Sequence, residues 1–239
     1  MAKIDLGGKL KIELSDLVMQ EAERIGVSLS AISSEGKTEL SGPNKAYSIE
    51  LSARFNDEDY AKLKDIADRM LNPISEKPAS ETTVRPYGIP WERLCLSIKH
   101  QDTLIGFATN ILYDFEDNRV NYFSGVAISP EHQGRGIYGF AQRIWSAPDS
   151  DILVTRTMNP KVAGSFNRIK EGYLAFPSGS EAPELVKRLL SNLFFENKGF
   201  PSGIVDPTTL VWKDCYKGIE DRSKTYDAKI ICLVRPGIL

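Results

Sequence analysis

Apolar positions change period several times along the chain, and each change marks an element. Leu14, Leu17, Val18, Ala22 and Ile25 fall at helical spacing until Gly26, and the alternating "VSLSAIS" then reads as a strand. A turn, "SGPN" at 41–44, separates this from a second half-buried strand in "AYSIELSARF". Asn56 and Asp59 offer a helix start for a stripe of Leu63, Ile66, Ala67 and Met70, which ends at the "NP" of 72–73. The proline-rich stretch from 72 to 90 has no period and reads as a long loop. "LCLSIKH" and "TLIGFATNILY" flank the polar pair "QD", and "DFEDN" leads into "RVNYFSGVAI", so three strands form an antiparallel meander.

Beyond the meander the helical period returns. Ile137, Phe140, Ala141, Ile144 and Trp145 repeat at i, i+3, i+4, i+7 and i+8 up to Pro148. "DILVTRTM" is an apolar-centred strand. Asn159 and Pro160 then supply an N-cap and a first-turn proline for a helix carrying Val162, Phe166 and Ile169, with Gly172 as its stop. "GYLAFP", a helix around Leu185 to Phe194, and two closing strands, "TTLVWKDCY" and "AKIICLVR", complete the reading. The fold class is therefore α/β of the α+β kind: a mixed, mostly antiparallel sheet flanked by helices, with residues 1–44 as an N-terminal extension.

Composition narrows the chemistry. The 239 residues carry a formal net charge of −2, so no general field draws the chain to nucleic acid or an anionic membrane, and an acidic ligand has to be held locally. No apolar run is long enough to span a bilayer and the start lacks a signal-peptide core, which points to the cytoplasm. Cys95, Cys215 and Cys232 are far apart and only two histidines accompany them. Neither a disulfide framework nor a metal site is expected.

The one stretch with sharp chemical meaning is "SPEHQGRGIYG", between the third meander strand and the helix of Ile137 to Trp145. Glycines at such a junction let backbone N–H groups converge on a phosphate at the positive end of the helix dipole. Gly134, Gly136 and Gly139 spell G-x-G-x-x-G, yet the antiparallel meander upstream is not a doubly wound sheet, which weighs against a dinucleotide. No Lys-Ser or Lys-Thr pair follows, which excludes a nucleotide-triphosphate loop. A purely structural glycine turn stays open as the bland alternative.

The stretch "VAISPEHQGRGIYGFAQRIW" resembles the signature of the GNAT superfamily of acyl-CoA-dependent N-acetyltransferases, a V-x-I-x-P strand followed by Q/R-x-x-G-x-G/A at a helix start. Gln133, Gly134, Arg135 and Gly136 match it, and Tyr138 stands where Gly or Ala is usual. The order of elements and "NPKVAGSFNRIKEGY" extend the resemblance over residues 45–239, which it implies to be the acyltransferase domain. The resemblance implies acetyl-CoA as acyl donor, no metal, a primary amine of a small molecule or protein as acceptor, and direct attack in a ternary complex. A homodimer is compatible with it.

By the same resemblance, Val126, Ala127 and Ile128 pair with the pantetheine arm, the Val126 N–H polarises the thioester carbonyl, and Gln133 through Gly139, Ile137 included, cradle the pyrophosphate with Arg135 adding charge. Asn159 is either a pantetheine contact or simply a helix cap, and Phe166 lies where relatives carry a proton-donating tyrosine. Tyr122 occupies the place of a glutamate base in some relatives. Tyr122 and Tyr138 are thus the catalytic candidates, with Asp114, Glu116 and Asp117 in the neighbouring turn, His132 and Tyr173 as weaker ones. Cys95 reads as a buried small hydrophobe. Acceptor recognition is expected from the loop 72–90 and the insertion 177–207. The missing strand glutamate and helix tyrosine leave a rival reading, a catalytically silent acyl-CoA-binding module that acts in assembly.

Overall fold

The computed structural model describes residues 1–8, 10–42, 45–54, 91–157, 160–166, 168–169, 172–178, 180–194, 210–212 and 228–239. The expected helix at Asn56 to Met70, the loop 72–90, Asn159 and Cys215 lie outside the described residues. The chain forms two compact units: Met1–Met70, Glu92–Asn110 and Gly125–Asp149 in the first, and Leu71–Trp91, Ile111–Ser124 and Ser150–Leu239 in the second.

Unit 1 opens with a hairpin of β1 (Ala2–Asp5) and β2 (Lys11–Leu14), paired from Ala2↔Leu14 to Asp5↔Lys11. Ile12 and Leu14 are buried while Lys11 and Glu13 are exposed. Leu14 is therefore a strand residue, a correction to its place in the helical stripe. The helix α1 (Asp16–Ile25) begins two residues later, after Ser15, whose hydroxyl caps it by accepting a hydrogen bond from Val18 N. It buries Val18 and Ala22 but leaves Leu17 76% exposed, so Leu17 also leaves the predicted stripe. Gly26 closes the helix at φ 68°, its N–H donating to the carbonyls of Ala22 and Glu23.

The chain then enters β3 (Val27–Ser33), which pairs antiparallel with β4 (Gly36–Glu39) and parallel with β5 (Tyr47–Ser52). The antiparallel partner of β5 is β6 (Trp91–His100), from Tyr47↔His100 to Ser52↔Cys95. Gln101 and Asp102, both at positive φ, form a two-residue turn into β7 (Thr103–Phe115), as the polar "QD" predicts. A second such turn, Glu116 and Asp117, leads to β8 (Asn118–Ile128). Strands β7 and β8 contribute to both units: Thr103–Asn110 and Gly125–Ile128 belong to unit 1, the remainder to unit 2. Unit 1 closes with a 3-10 turn, Pro130–His132, and α2 (Ile137–Trp145). α2 buries Ile137, Phe140, Ala141, Ile144 and Trp145, the five residues of the predicted stripe. Its last carbonyl, that of Trp145, accepts from Asn110 Nδ2 on β7 at 2.6 Å.

In unit 2, β9 (Ile152–Thr157) lies between β8, parallel from Val120↔Ile152 to Phe123↔Thr155, and β12 (Ala228–Val234), antiparallel. Two short strands, β10 (Leu174–Phe176) and β11 (Val211–Trp212), pair with β12. Asp151 sets the start of β9: its carboxylate accepts from Arg119 N at 2.8 Å and its carbonyl from Arg235 N at 2.9 Å. The helix α3 (Pro160–Phe166) stops before Ile169, which lies in the following turn, and α4 spans Glu184–Phe194. The core of this unit joins Val120 and Tyr122 of β8 to Val154, Ile230, Cys232 and the α4 residues Val186, Leu189 and Leu193.

Burial pushes the Cys232 thiol up to about 12, so it stays protonated. Tyr113, 1% exposed in the same cluster, has a hydroxyl without a hydrogen-bond partner among the described residues, and burial raises its pKa well above the ordinary range. A buried unpaired hydroxyl costs about 1–3 kcal/mol of desolvation. Tyr113→Phe is expected to raise the melting temperature by about 2–4 °C, read by calorimetry; a fall would mean that the hydroxyl has a partner.

The described strands are mostly antiparallel, with parallel pairs at β3–β5 and β8–β9, and are flanked by helices as the sequence predicts. No described helix is long and apolar enough to cross a membrane.

Candidate functional site

The site is built in unit 1 from the end of β8, the 3-10 turn, the loop Gln133–Gly136 and the first turn of α2. β8 has β7 on one side and β9 on the other. Near its start, the Arg119 carbonyl accepts from Asp151 N, on the β9 side. Just past its end, Ser129 N donates to Ile105 O, on the β7 side, at 2.8 Å. Backbone groups of a regular strand alternate sides with period 2, so two residues an even number of positions apart share a side. Arg119 and Ser129 do not share one. One residue between them is out of step, which is a β-bulge, a device that re-aims backbone groups near functional sites. The ladder to β9 also ends at Phe123↔Thr155 while β8 continues to Ile128.

After β8, the chain is held closely and then released. Gln133 reaches back, its Nε2 donating to the Ile128 carbonyl at 2.8 Å. His132 N and Gln133 N donate to Ser129 O and Pro130 O. The next three residues, Gly134 to Gly136, are exposed. Gly134 and Gly136 stand at φ 77° and 80°, the left-handed region that glycine enters without strain.

Gly136 is the N-cap of α2 and has no side chain to accept from the helix. The first internal bond of α2 is Phe140 N to Gly136 O at 3.0 Å. Ile137, Tyr138 and Gly139 therefore present N–H groups that nothing within the helix accepts. The first turn has no acidic residue, and a Cβ added at Gly134, Gly136 or Gly139 would meet nothing within 4 Å. This open, donor-rich helix start with exposed Arg135 beside it suits a multiply charged anion.

The other predicted residues distribute between the units. Val126, half-buried, and Ala127 and Ile128, buried, lie on the last stretch of β8 beside the loop. Tyr138 is half-buried and its ring stands edge-on to Trp145, centroids 5.7 Å apart. Tyr122, the other catalytic candidate, is 2% exposed inside the hydrophobic cluster of unit 2. Phe166 is likewise buried, 1% exposed and edge-on to Phe123 at 4.9 Å.

Two of the turn carboxylates are engaged. Glu116 takes Arg188 in a two-pronged pair at 2.8 and 2.6 Å, and these hydrogen bonds hold its carboxyl below the usual carboxylate range. Asp114 pairs with Arg119 at 3.1 Å. Tyr173 donates to the Ser150 carbonyl at 3.1 Å, and Cys95 is fully buried. No group of three or more His, Cys, Asp or Glu suited to a metal occurs among the described residues.

His132 is not a solvated loop residue. Its Nδ1 lies 3.2 Å from the Tyr47 hydroxyl and its ring 4.9 Å from that of His100. The sequence reading missed Tyr47 and His100, whose only local signal is that β5 and β6 pair them.

The model of the Acetyltransferase (GNAT) family matches residues 60–138, a stretch that ends in the first turn of α2. Among curated protein sequences none matches this chain. Similar solved structures include the ribosomal-protein-S18-alanine N-acetyltransferase of Escherichia coli, 12% identical over 78% of this chain and 94% of that one, TM-score 0.43. An acetyltransferase of Bacillus subtilis in complex with CoA is 14% identical, with 78% and 97% covered and TM-score 0.35. A glucosamine N-acetyltransferase region in a fungal multi-domain GH3 β-N-acetylglucosaminidase is 10% identical over 64% of this chain, TM-score 0.40. That match spans 21% of the fungal chain.

Proposed function

We propose that this chain, whose residues 60–138 match the model of the Acetyltransferase (GNAT) family, is an N-acetyltransferase that moves an acetyl group from acetyl-CoA to a primary amine. The observation that carries the reading is the uncapped start of α2: Gly136 at φ 80° with no side-chain acceptor, three following N–H groups, and no acid in the first turn. The pyrophosphate of acetyl-CoA accepts from N–H groups at this helix start, with Arg135 adding a charge-assisted hydrogen bond. Residues 45–239 carry the chemistry in this reading, and residues 1–44 buttress it, since α1 meets α2 through an ion pair between Glu21 and Arg143.

The pantetheine arm pairs with the backbone of Val126 to Ile128, beyond the end of the β9 ladder. The bulge in β8 supports this, because bulges re-aim backbone groups near functional sites. The Val126 N–H then polarises the thioester carbonyl as its oxygen gains negative charge. The neutral amine nitrogen attacks the carbonyl carbon, the C–S bond breaks with its electron pair leaving on sulfur, the thiolate takes a proton from a protein acid, and the proton shed by nitrogen restores that acid.

Of the two candidate tyrosines, Tyr138 is the one with access to solvent. We assign it the donation of a proton to the leaving thiolate, a task that fits a phenol of ordinary pKa about 10. Tyr138→Phe is expected to lower kcat about tenfold to a hundredfold with KM for acetyl-CoA little changed. An unchanged kcat in steady-state assays would remove Tyr138 from the mechanism.

The reading as a whole is tested by calorimetric titration with acetyl-CoA and by thiol release over a panel of primary amines. Binding with turnover on at least one amine is expected. Binding with no turnover on any amine would instead favour a silent acyl-CoA-binding module, and no binding would end the assignment.

A further inference from the structure

The chain contains two histidines, and they meet. His100 ends β6 and His132 ends the 3-10 turn before the loop, and their ring centroids are 4.9 Å apart at an interplanar angle of 44°. Tyr47, the first residue of β5, joins both: its ring lies 4.7 Å from His100 and stands edge-on to His132 at 5.8 Å, while its hydroxyl is 3.2 Å from His132 Nδ1. All three side chains are half-buried. The ring of His132 is thus turned onto β5 and β6. In the sequence, Gln133 and the exposed glycines follow directly.

We propose that Tyr47 and His100 hold His132 as a latch, which makes His132 a positioning residue for the phosphate loop and couples acyl-CoA binding to pH. The proposal rests on the acetyl-CoA reading above and assigns that site a regulator. The turn leading to the loop has two kinds of fastening. Its backbone bonds, Ser129 N to Ile105 O and Gln133 N to Pro130 O, together with Gln133 Nε2 to Ile128 O, secure it to β7 and β8 or within itself. The His132 ring secures it to β5 and β6. Past Gln133, no Cβ at Gly134 or Gly136 would touch the protein. The loop 134–136 is held from its two ends, by the turn that His132 anchors and by α2, where Phe140 N donates to Gly136 O.

Imidazole is the side chain that ordinarily changes charge between about pH 5 and 8. Neutral rings can lie tilted against one another as these do, with a hydrogen bond between the Tyr47 hydroxyl and His132 Nδ1. Like charges on two rings this close repel each other. Charged groups on the adjoining elements are Lys45 before β5, Lys99 on β6, Asp102 in the turn after it, and Glu131 and Arg135 on either side of His132. Lys45 is engaged by Glu23 and Lys99 by Glu50. The sign follows from the direction of the ring: acidification loosens the latch and weakens acyl-CoA binding. A histidine aimed at the phosphate would do the opposite.

Two measurements test this. Hydrogen exchange of the Gly134 and Gly136 amides is followed in the ligand-free protein, and acetyl-CoA affinity is measured by calorimetry at pH 8 and pH 6. His132→Leu is expected to speed exchange of the loop amides and to weaken acetyl-CoA binding about tenfold. His132→Asn, whose carboxamide oxygen can still accept from Tyr47, should recover most of both while losing the response to pH. Acetyl-CoA titrates too, so the wild-type ratio of affinities at the two pH values is read against that of His100→Phe, which keeps an aromatic ring and removes one titrating group. A larger loss at pH 6 in the wild type supports the latch. Equal ratios, tighter binding at pH 6 that disappears in His132→Leu, or unchanged loop exchange in that variant would each overturn it. A wild type that binds no acetyl-CoA at either pH refutes the parent reading and, with it, the coupling to acyl-CoA; exchange then decides the positioning role alone.

Discussion

Acetyl-CoA binding falls by about a hundredfold or more when Gly136 is replaced by glutamate. The argument has three separable parts. The backbone there is at φ 80°, so any side chain adds roughly 1–2 kcal/mol of left-handed strain. A Cβ meets nothing within 4 Å, so no collision adds to that strain. A carboxylate at this position then lies at the positive end of α2, among the N–H groups of Ile137, Tyr138 and Gly139, where it competes with the pyrophosphate and repels it. Gly136→Asn shares the backbone position and lacks the charge, and asparagine tolerates the left-handed region better than most residues. It should keep acetyl-CoA affinity within about tenfold of wild type. Both variants are titrated calorimetrically after their melting temperatures show them folded. If glutamate and asparagine bind alike, the helix start is not the phosphate site.

Gly106→Ala is expected to have the second largest effect, and through packing rather than charge. A Cβ at Gly106 would stand 2.5 Å from the Ala127 carbonyl oxygen and 3.0 Å from Ile128 Cα, both backbone atoms of β8. Flexible side chains can yield to such a contact, but a strand cannot without moving. Inserting volume into a packed site costs about 1–3 kcal/mol, and the upper end applies here. The last stretch of β8 is the edge assigned to the pantetheine arm. The variant should therefore melt several degrees lower and bind acetyl-CoA at least about tenfold more weakly. Gly125→Ala is the useful contrast, because its nearest neighbour would be the Thr109 hydroxyl at 3.5 Å, an ordinary contact. A Gly106→Ala protein with wild-type melting and affinity would show that β8 can shift freely there.

The sequence was most legible where signals are local. The meander of β6, β7 and β8 could be read because two polar two-residue turns separate long runs rich in β-formers, and α2 because five apolar residues repeat with one period. The loop could be read because glycine marks positive φ at Gly134 and Gly136. The β1–β2 hairpin escaped notice because its strands are only four residues long and Leu14 falls by coincidence at helical spacing from Leu17 and Val18. The burial of Ile12 and Leu14 and the exposure of Leu17 reveal the true boundary at Ser15.

The burial of Tyr122 escaped notice for a related reason. Position along β8 suggests chemistry, whereas the neighbours that bury it, Val154 of β9 and Ile230 of β12, are distant in sequence. The tie between Tyr47 and His132 spans 85 positions and comes together only through strand pairing. No local pattern announces it.

The start of α2 has a consequence for how long the protein lasts as well as for what it binds. Gly139 sits in the first turn of the helix, where glycine costs about 0.5–1 kcal/mol relative to alanine and where a methyl group would meet nothing in the chain. With Gly136 as a cap that has no side-chain acceptor, the segment is left weaker than its surroundings require. An anion that completes its donors binds the folded state alone, and at a hundred times its dissociation constant stabilises that state by about 2.7 kcal/mol. The lifetime of the folded protein would then follow the supply of acyl-CoA: well fed, the chain resists unfolding, and starved of its donor it becomes the easier target for proteolysis.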